Sequence, residues 1–109
     1  MIMRVSSAIV SETQVGTYLD YVGTSVMPAY EAAVGLISVS ISRRQVVAYV
    51  EFLTLSIWQS DEALKRFLEG QPAATGVTSD RGIIYVEPRA YELVVSREGK
   101  LRPTEEQQE

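Results

Sequence analysis

The chain has 109 residues, of which 46% are hydrophobic, and its ten Lys and Arg against fourteen Asp and Glu leave a net charge of −4. That is the length of one domain, apolar enough to bury a core and so not intrinsically disordered. It holds neither Cys nor His, which excludes disulfides, thiolate catalysis, zinc fingers and iron–sulfur clusters, and removes the commonest metal ligand and general base.

An acidic chain is a poor nucleic-acid binder. No apolar run approaches the ~20 residues of a membrane-spanning helix. The N-terminus (MIMRV) has no basic region followed by a long apolar core, so no signal peptide is expected. The expectation is a soluble, cytoplasmic domain whose chemistry proceeds without His or Cys.

Met3–Val10 is short and rich in β-branched residues, and reads as a strand. Ser11 with Gln14 three residues on forms a capping-box pattern, so a first helix is expected to begin near Glu12. Its apolar positions Val15, Tyr18, Leu19, Val22, Val26 and Tyr30 keep to one helical face. Pro28 falls inside that pattern and predicts a kink or restart; Gly35 closes the region.

Leu36–Arg43 alternates. Ile37, Val39 and Ile41 make an apolar face, and Leu36, Ser38, Ser40 and Ser42 the other. Arg43, Arg44 and Gln45 break the pattern and read as a tight hairpin whose two arginines are inert. Val46–Trp58 follows as a long strand. Val47, Tyr49, Leu53, Leu55 and Ile57 lie on one side of it. Val46, Ala48, Val50, Phe52, Thr54, Ser56 and Trp58 lie on the other. A strand apolar on both sides is expected to be covered on both.

Ser60 caps a second helix with Asp61 and Glu62 in its first turn and Ala63, Leu64, Phe67 and Leu68 as its buried stripe. Gly70 and Pro72 end it. Gln71–Gly82, rich in Gly and small polar residues, is long enough to suggest a lid. Ile83–Val95 is the last strand, and Pro88 within it suits an edge or a bulge. Residues 1–95 thus form the domain and the charged segment 96–109 a frayed tail.

Strand, helix, strand, strand, helix, strand is the βαββαβ order of the ferredoxin-like α+β sandwich, four antiparallel strands with both helices on one face. The face left bare would carry the second apolar side of Val46–Trp58 together with Ile37, Val39 and Ile41. That exceeds what a soluble monomer leaves wet, so a symmetric homodimer, sheet against sheet, is expected.

The run Phe52, Trp58, Ser60, Glu62, Ala63, Phe67 resembles the signature of the antibiotic biosynthesis monooxygenase domain, a branch of the dimeric α/β-barrel superfamily. In that family a strand-ending Trp is followed by Ser, Glu and Ala as the second helix opens, with Phe a turn later. Gly35-Leu36 matches the step into its second strand. The resemblance covers residues 3–95 and implies a homodimeric α/β barrel. It also implies an activity drawn from cofactor-free oxygenation of aromatic polyketides, haem degradation, isomerisation or cyclisation. Haem-degrading relatives need a His on the iron. Quinone-forming oxygenases use an Asn on the Trp-bearing strand, where position 54 here is Thr.

Candidate site residues follow. Trp58 could wall a pocket for a flat aromatic substrate and donate one hydrogen bond, or anchor the second helix. Glu51 is a carboxylate in an apolar strand. Desolvation would raise its pKa and suit it as a general base, yet alternation puts it opposite Trp58, where an interface partner is the rival role. Ser38, Ser40, Thr54 and Ser56 are expected together on the Trp58 face as hydroxyl lining. Tyr30 is a rim residue, and Arg81 at the loop base could meet an anionic oxygen.

The function expected is a cofactor-independent monooxygenase oxidising an aromatic or polyketide-like phenol with O2. Trp58 and Glu51 are its catalytic candidates, and Tyr30, Ser38, Thr54, Ser56 and Arg81 bind substrate. No metal or cofactor is expected. The partners are a small aromatic molecule and a second copy of the chain, with no nucleic acid or membrane. A cyclase or isomerase on the same scaffold, or a non-catalytic ligand-binding protein, are the alternatives.

Overall fold

A computed structural model of the chain describes residues 1–70 and 83–99. Four strands, β1 (Ile2–Ser11), β2 (Leu36–Val46), β3 (Tyr49–Trp58) and β4 (Ile83–Glu92), form one sheet in the order β2-β3-β1-β4, every neighbouring pair antiparallel. This is the ferredoxin-like α+β arrangement expected from the element order.

The first helical segment is compound. A 3-10 turn (Glu12–Gln14) leads into α1 (Val15–Tyr21), a π turn (Val22–Val26) and α2 (Met27–Glu31). The capping box does not form: the Ser11 hydroxyl meets that of Thr13 at 3.1 Å and caps no backbone N–H. The restart at Pro28 does occur. Pro28 enters α2 in its first turn, where a missing N–H costs little. The wider π turn before it suits the four-residue steps Val22, Val26, Tyr30. Of the expected stripe, Tyr18, Val22 and Tyr30 are buried and Leu19 is exposed.

Helix α3 (Asp61–Gly70) begins as expected, with the Ala63 N–H donating to the Ser60 hydroxyl at 3.2 Å. Gly35, at φ +90°, lets the chain enter β2 directly under this helix, and a Cβ there would stand 2.6 Å from that of Ala63.

The β2–β3 hairpin corrects the sequence expectation. The turn is at Val47 and Ala48, with Val47 in the left-handed region at φ 55°. Arg43, Arg44 and Gln45 belong to β2 and pair with Phe52, Glu51 and Val50. Polar side chains alone had suggested a turn, but Glu12 anchors the hairpin end by accepting from Gln45 and donating its N–H to the Ala48 carbonyl. Pro88 behaves as expected: β4 is an edge strand, and its register against β1 shifts between Val5 and Ser7.

The core lies between the helices and one sheet face. Val10, Phe52 and Trp58 are its most buried apolar side chains, and Tyr18 packs tilted against Phe52 with ring centroids 4.7 Å apart. The opposite face presents Val5, Ile9, Leu53, Leu55, Ile57, Ile84, Val86 and Tyr91. Val39 and Ile41, expected on that bare face, instead pair with Ser56 and Thr54 and pack under the helices.

Candidate functional site

Alternation along β3 turns Val50, Phe52, Thr54, Ser56 and Trp58 toward the helices. Trp58, the last of them, is fully buried where β3 hands over to α3. Its indole N–H donates to the Ser56 hydroxyl at 2.9 Å. Phe67 of α3 lies against it at 5.0 Å between centroids, and Tyr30 of α2 stacks on Phe67 at 4.8 Å. Tyr30 and Trp58 themselves are 6.3 Å apart. Three aromatic rings from three elements thus form one corner, fixed by the Ser60 cap and by the close approach of Gly35 to Ala63.

The corner has a polar floor. Thr54 and Ser56 are buried on the same face of β3 as Trp58, with Ser56 in contact with the indole. The Tyr30 hydroxyl hydrogen-bonds Arg4 and Ser56. Burial pushes the Tyr30 phenol above its ordinary range, opposed by the positive charge of Arg4 and by those two hydrogen bonds. The phenol therefore stays protonated at neutral pH and can donate.

The expected residues divide between the two faces. Trp58, Ser56 and Tyr30 come together, and Thr54 lies on the same inner face farther along β3. Ser38 and Ser40 do not join them: they pair with Ile57 and Leu55, on the face away from the helices. The cause is an irregularity between Leu36 and Ser38, which puts Leu36 opposite Trp58 and swaps the faces of the residues after it.

Glu51 also stands on the outer face, away from Trp58. It accepts from the Arg44 Nε at 2.6 Å. That hydrogen bond above all, joined by Arg44's charge and a hydrogen bond from Ser7, holds its carboxyl below the ordinary range against the opposing effect of desolvation. The shift is the reverse of the raised pKa expected, and Arg44, expected to be inert, is its partner. Arg81 lies outside the described residues, as does the loop read as a lid.

Sequence reading missed Arg4. It is 3% exposed, on β1, opposite Ser56 and Ala90. The signal was present: Ala8 and Val10 point inward, and counting back in twos brings Arg4 to the same side.

No protein-family model matches the chain, and no curated protein matches it by sequence. Solved structures do match it in fold. A Deinococcus radiodurans protein bearing the provisional name antibiotic biosynthesis monooxygenase superposes with a TM-score of 0.71 at 16% identity, over 92% of this chain and 99% of that one. HapK from Hahella chejuensis gives 0.68 at 15% identity, over 92% and 99%. A variant of SnoaB, a cofactor-independent oxygenase from Streptomyces nogalater, gives 0.61 at 10% identity, over 87% and 95%. The chain therefore has the ferredoxin-like fold of the antibiotic biosynthesis monooxygenase proteins.

Proposed function

We propose that the chain is a cofactor-independent monooxygenase that works as a homodimer and oxidises an aromatic, polyketide-like phenol with O2. The observation that carries this reading is the corner at Trp58, where the rings of Trp58, Phe67 and Tyr30 meet beside the hydroxyls of Tyr30 and Ser56. The likeness in fold to SnoaB, a cofactor-independent oxygenase, supports it.

The reaction leaves the difficult step to the substrate. A deprotonated phenol passes one electron to O2, and the resulting radical and superoxide combine to make a C–O bond at a ring carbon bearing hydrogen. The peroxide, once protonated, loses water together with that hydrogen. In sum, a phenol HO–Ar–H and O2 give a quinone O=Ar=O and H2O. The protein's contribution is orientation between aromatic walls and hydrogen-bond donors for the charged oxygen. Trp58 and Phe67 hold the ring plane, and Tyr30 and Thr54 address the oxygens. The second copy covers the sheet face that carries Leu53, Ile84, Val86 and Tyr91, all exposed in the single chain.

A non-catalytic ligand-binding module is the second reading, favoured by how completely Trp58, Tyr30 and Phe67 pack on one another. An isomerase relying on a neutral Glu51 loses its proton carrier, since that carboxyl is ion-paired on the other face. Oxygen-electrode measurements with naphthols and hydroxyanthrones decide between the first two. Monooxygenation consumes O2 in step with quinone formation without releasing peroxide, and Trp58→Phe slows it. Absence of substrate-dependent uptake across the series refutes the oxygenase.

A further inference from the structure

The Trp58 indole is 0% exposed, so a ligand ring can meet it only if the corner opens. Three walls close the corner, and they are held differently. Trp58 ends β3 with Ile2 of β1 opposite it on one side and Leu36 of β2 on the other, and its N–H is bonded to Ser56. Tyr30 is buried, and its hydroxyl hydrogen-bonds Arg4 and Ser56. Phe67 has no polar atom to bond and is only half-buried; it stacks on Tyr30 with centroids 4.8 Å apart and planes 26° apart. The helix that carries it is anchored at its start. There Ser60 caps it, the Gln59 N–H donates to the Gly35 carbonyl at 2.8 Å, and Ala63 packs over Gly35. Leu64, just beyond, is the one fully buried side chain of α3. Farther along, Phe67 and Leu68 lean on the corner by apolar contact.

We infer that α3 is a lid: it pivots on its first turn, lifts Phe67 off Tyr30 and Trp58 to admit a flat aromatic ring, and closes Phe67 over that ring. Phe67 lies seven residues past the Ser60 cap, about 10 Å along the helix, and one ring needs about 3.5 Å of clearance, so a tilt of roughly 20° suffices. Without a ligand, the lid is held shut by the kind of contact a ligand would offer, ring on ring. Phe67 is the wall that can leave without breaking a buried hydrogen bond. Moving Tyr30 instead would break its bonds to Arg4 and Ser56 in a layer shielded from water. The inference rests on the oxygenase reading for placing the substrate beside Trp58, and adds how the substrate gets there.

The test is stopped-flow quenching of Trp58, the only tryptophan, by 4-nitrophenol and by nitrobenzene, with the full chain. A lid that is mostly shut slows entry and exit alike, so Phe67→Ala is expected to raise the association and the dissociation rate constants together. The association rate constant is expected to rise about tenfold or more, by the same factor for both probes, since the closed population belongs to the protein and not to the ligand. If Phe67→Ala does not fold by circular dichroism, Phe67→Leu, which removes the ring and keeps apolar bulk, takes its place. Hydrogen exchange without ligand is the second readout: the amides of Lys65–Gly70 are expected to exchange about a hundredfold or more faster than those of Phe52–Trp58, and to slow when 4-nitrophenol is bound. A rise in dissociation alone reports a fixed wall, a rise in association alone reports a hole left by the ring, and either overturns the lid. So does quenching by neither probe, or exchange in α3 as slow as in β3. Gated binding without O2 uptake on any phenol overturns the oxygenase reading alone; O2 uptake with ungated binding overturns this inference alone.

Discussion

Replacing Gly35 with Ala tests how the corner is held together. Gly35 sits at φ +90°, and an added Cβ would stand 2.6 Å from the Ala63 Cβ. Two costs follow. A side chain in the left-handed half of backbone space costs about 1–2 kcal/mol. The methyl overlap costs about 1–3 kcal/mol, because Ala63 has no rotamer to yield and α3 itself must move. Gly35→Ala is therefore expected to lose about 2–5 kcal/mol in urea unfolding, followed by the emission of Trp58. Since α3 carries Phe67 against Trp58, the folded-state emission is also expected to shift. Ala63→Gly removes the overlap but not the backbone strain, at a helix cost of about 1 kcal/mol of its own. In the double variant the overlap is expected to reappear as a coupling energy of about 1–3 kcal/mol between the sites. Additive losses, or a Gly35→Ala variant within about 0.5 kcal/mol of wild type, would refute the close approach of β2 and α3 as the feature that sets the corner.

Two further outcomes are expected. The Tyr18 phenol is pushed up from 10.0 to about 12, first by burial and then by the neighbouring Tyr85, Tyr21 and Tyr30. Because the folded value exceeds the unfolded one, its stabilisation is complete below pH 10 and is lost as pH climbs from 10 to 12. Urea midpoints should fall across that window more steeply in wild type than in Tyr18→Phe, and parallel curves would contradict the assignment. On the bare sheet face, Leu53→Glu places a charge among Val5, Ile9 and Ile84, and light scattering should find it monomeric at concentrations where wild type is dimeric. A wild type monomeric at micromolar concentration would remove the dimer.

The inner face of β3 was legible because five alternate residues from Val50 to Trp58 carry one signal, and the cap of α3 because Ser60 precedes two acids. The β2 register was not. Its alternation is clear, but which face turns inward depends on an irregularity between Leu36 and Ser38 that no residue type announces. The hairpin was misplaced for a related reason. Val47 is a β-branched residue in the left-handed region, against its propensity, while Arg43-Arg44-Gln45 has turn-like polarity. Moving the turn to Val47 and Ala48 brings Arg44 opposite Glu51, so one misplaced turn accounts for both the expected raised pKa of Glu51 and the overlooked ion pair. Arg4 was missed because a β-branched reading of β1 hid one charge in phase with Ala8 and Val10.

Which sheet face does the chemistry is answered most directly by O2 consumption on a single phenolic substrate in Trp58→Phe and Glu51→Gln, with kcat/KM compared to wild type. Loss of about tenfold or more in Trp58→Phe, with Glu51→Gln indistinguishable from wild type, is the outcome that follows from a site beneath the helices. Retained activity in Trp58→Phe together with loss in Glu51→Gln would put the chemistry on the opposite face and contradict the account.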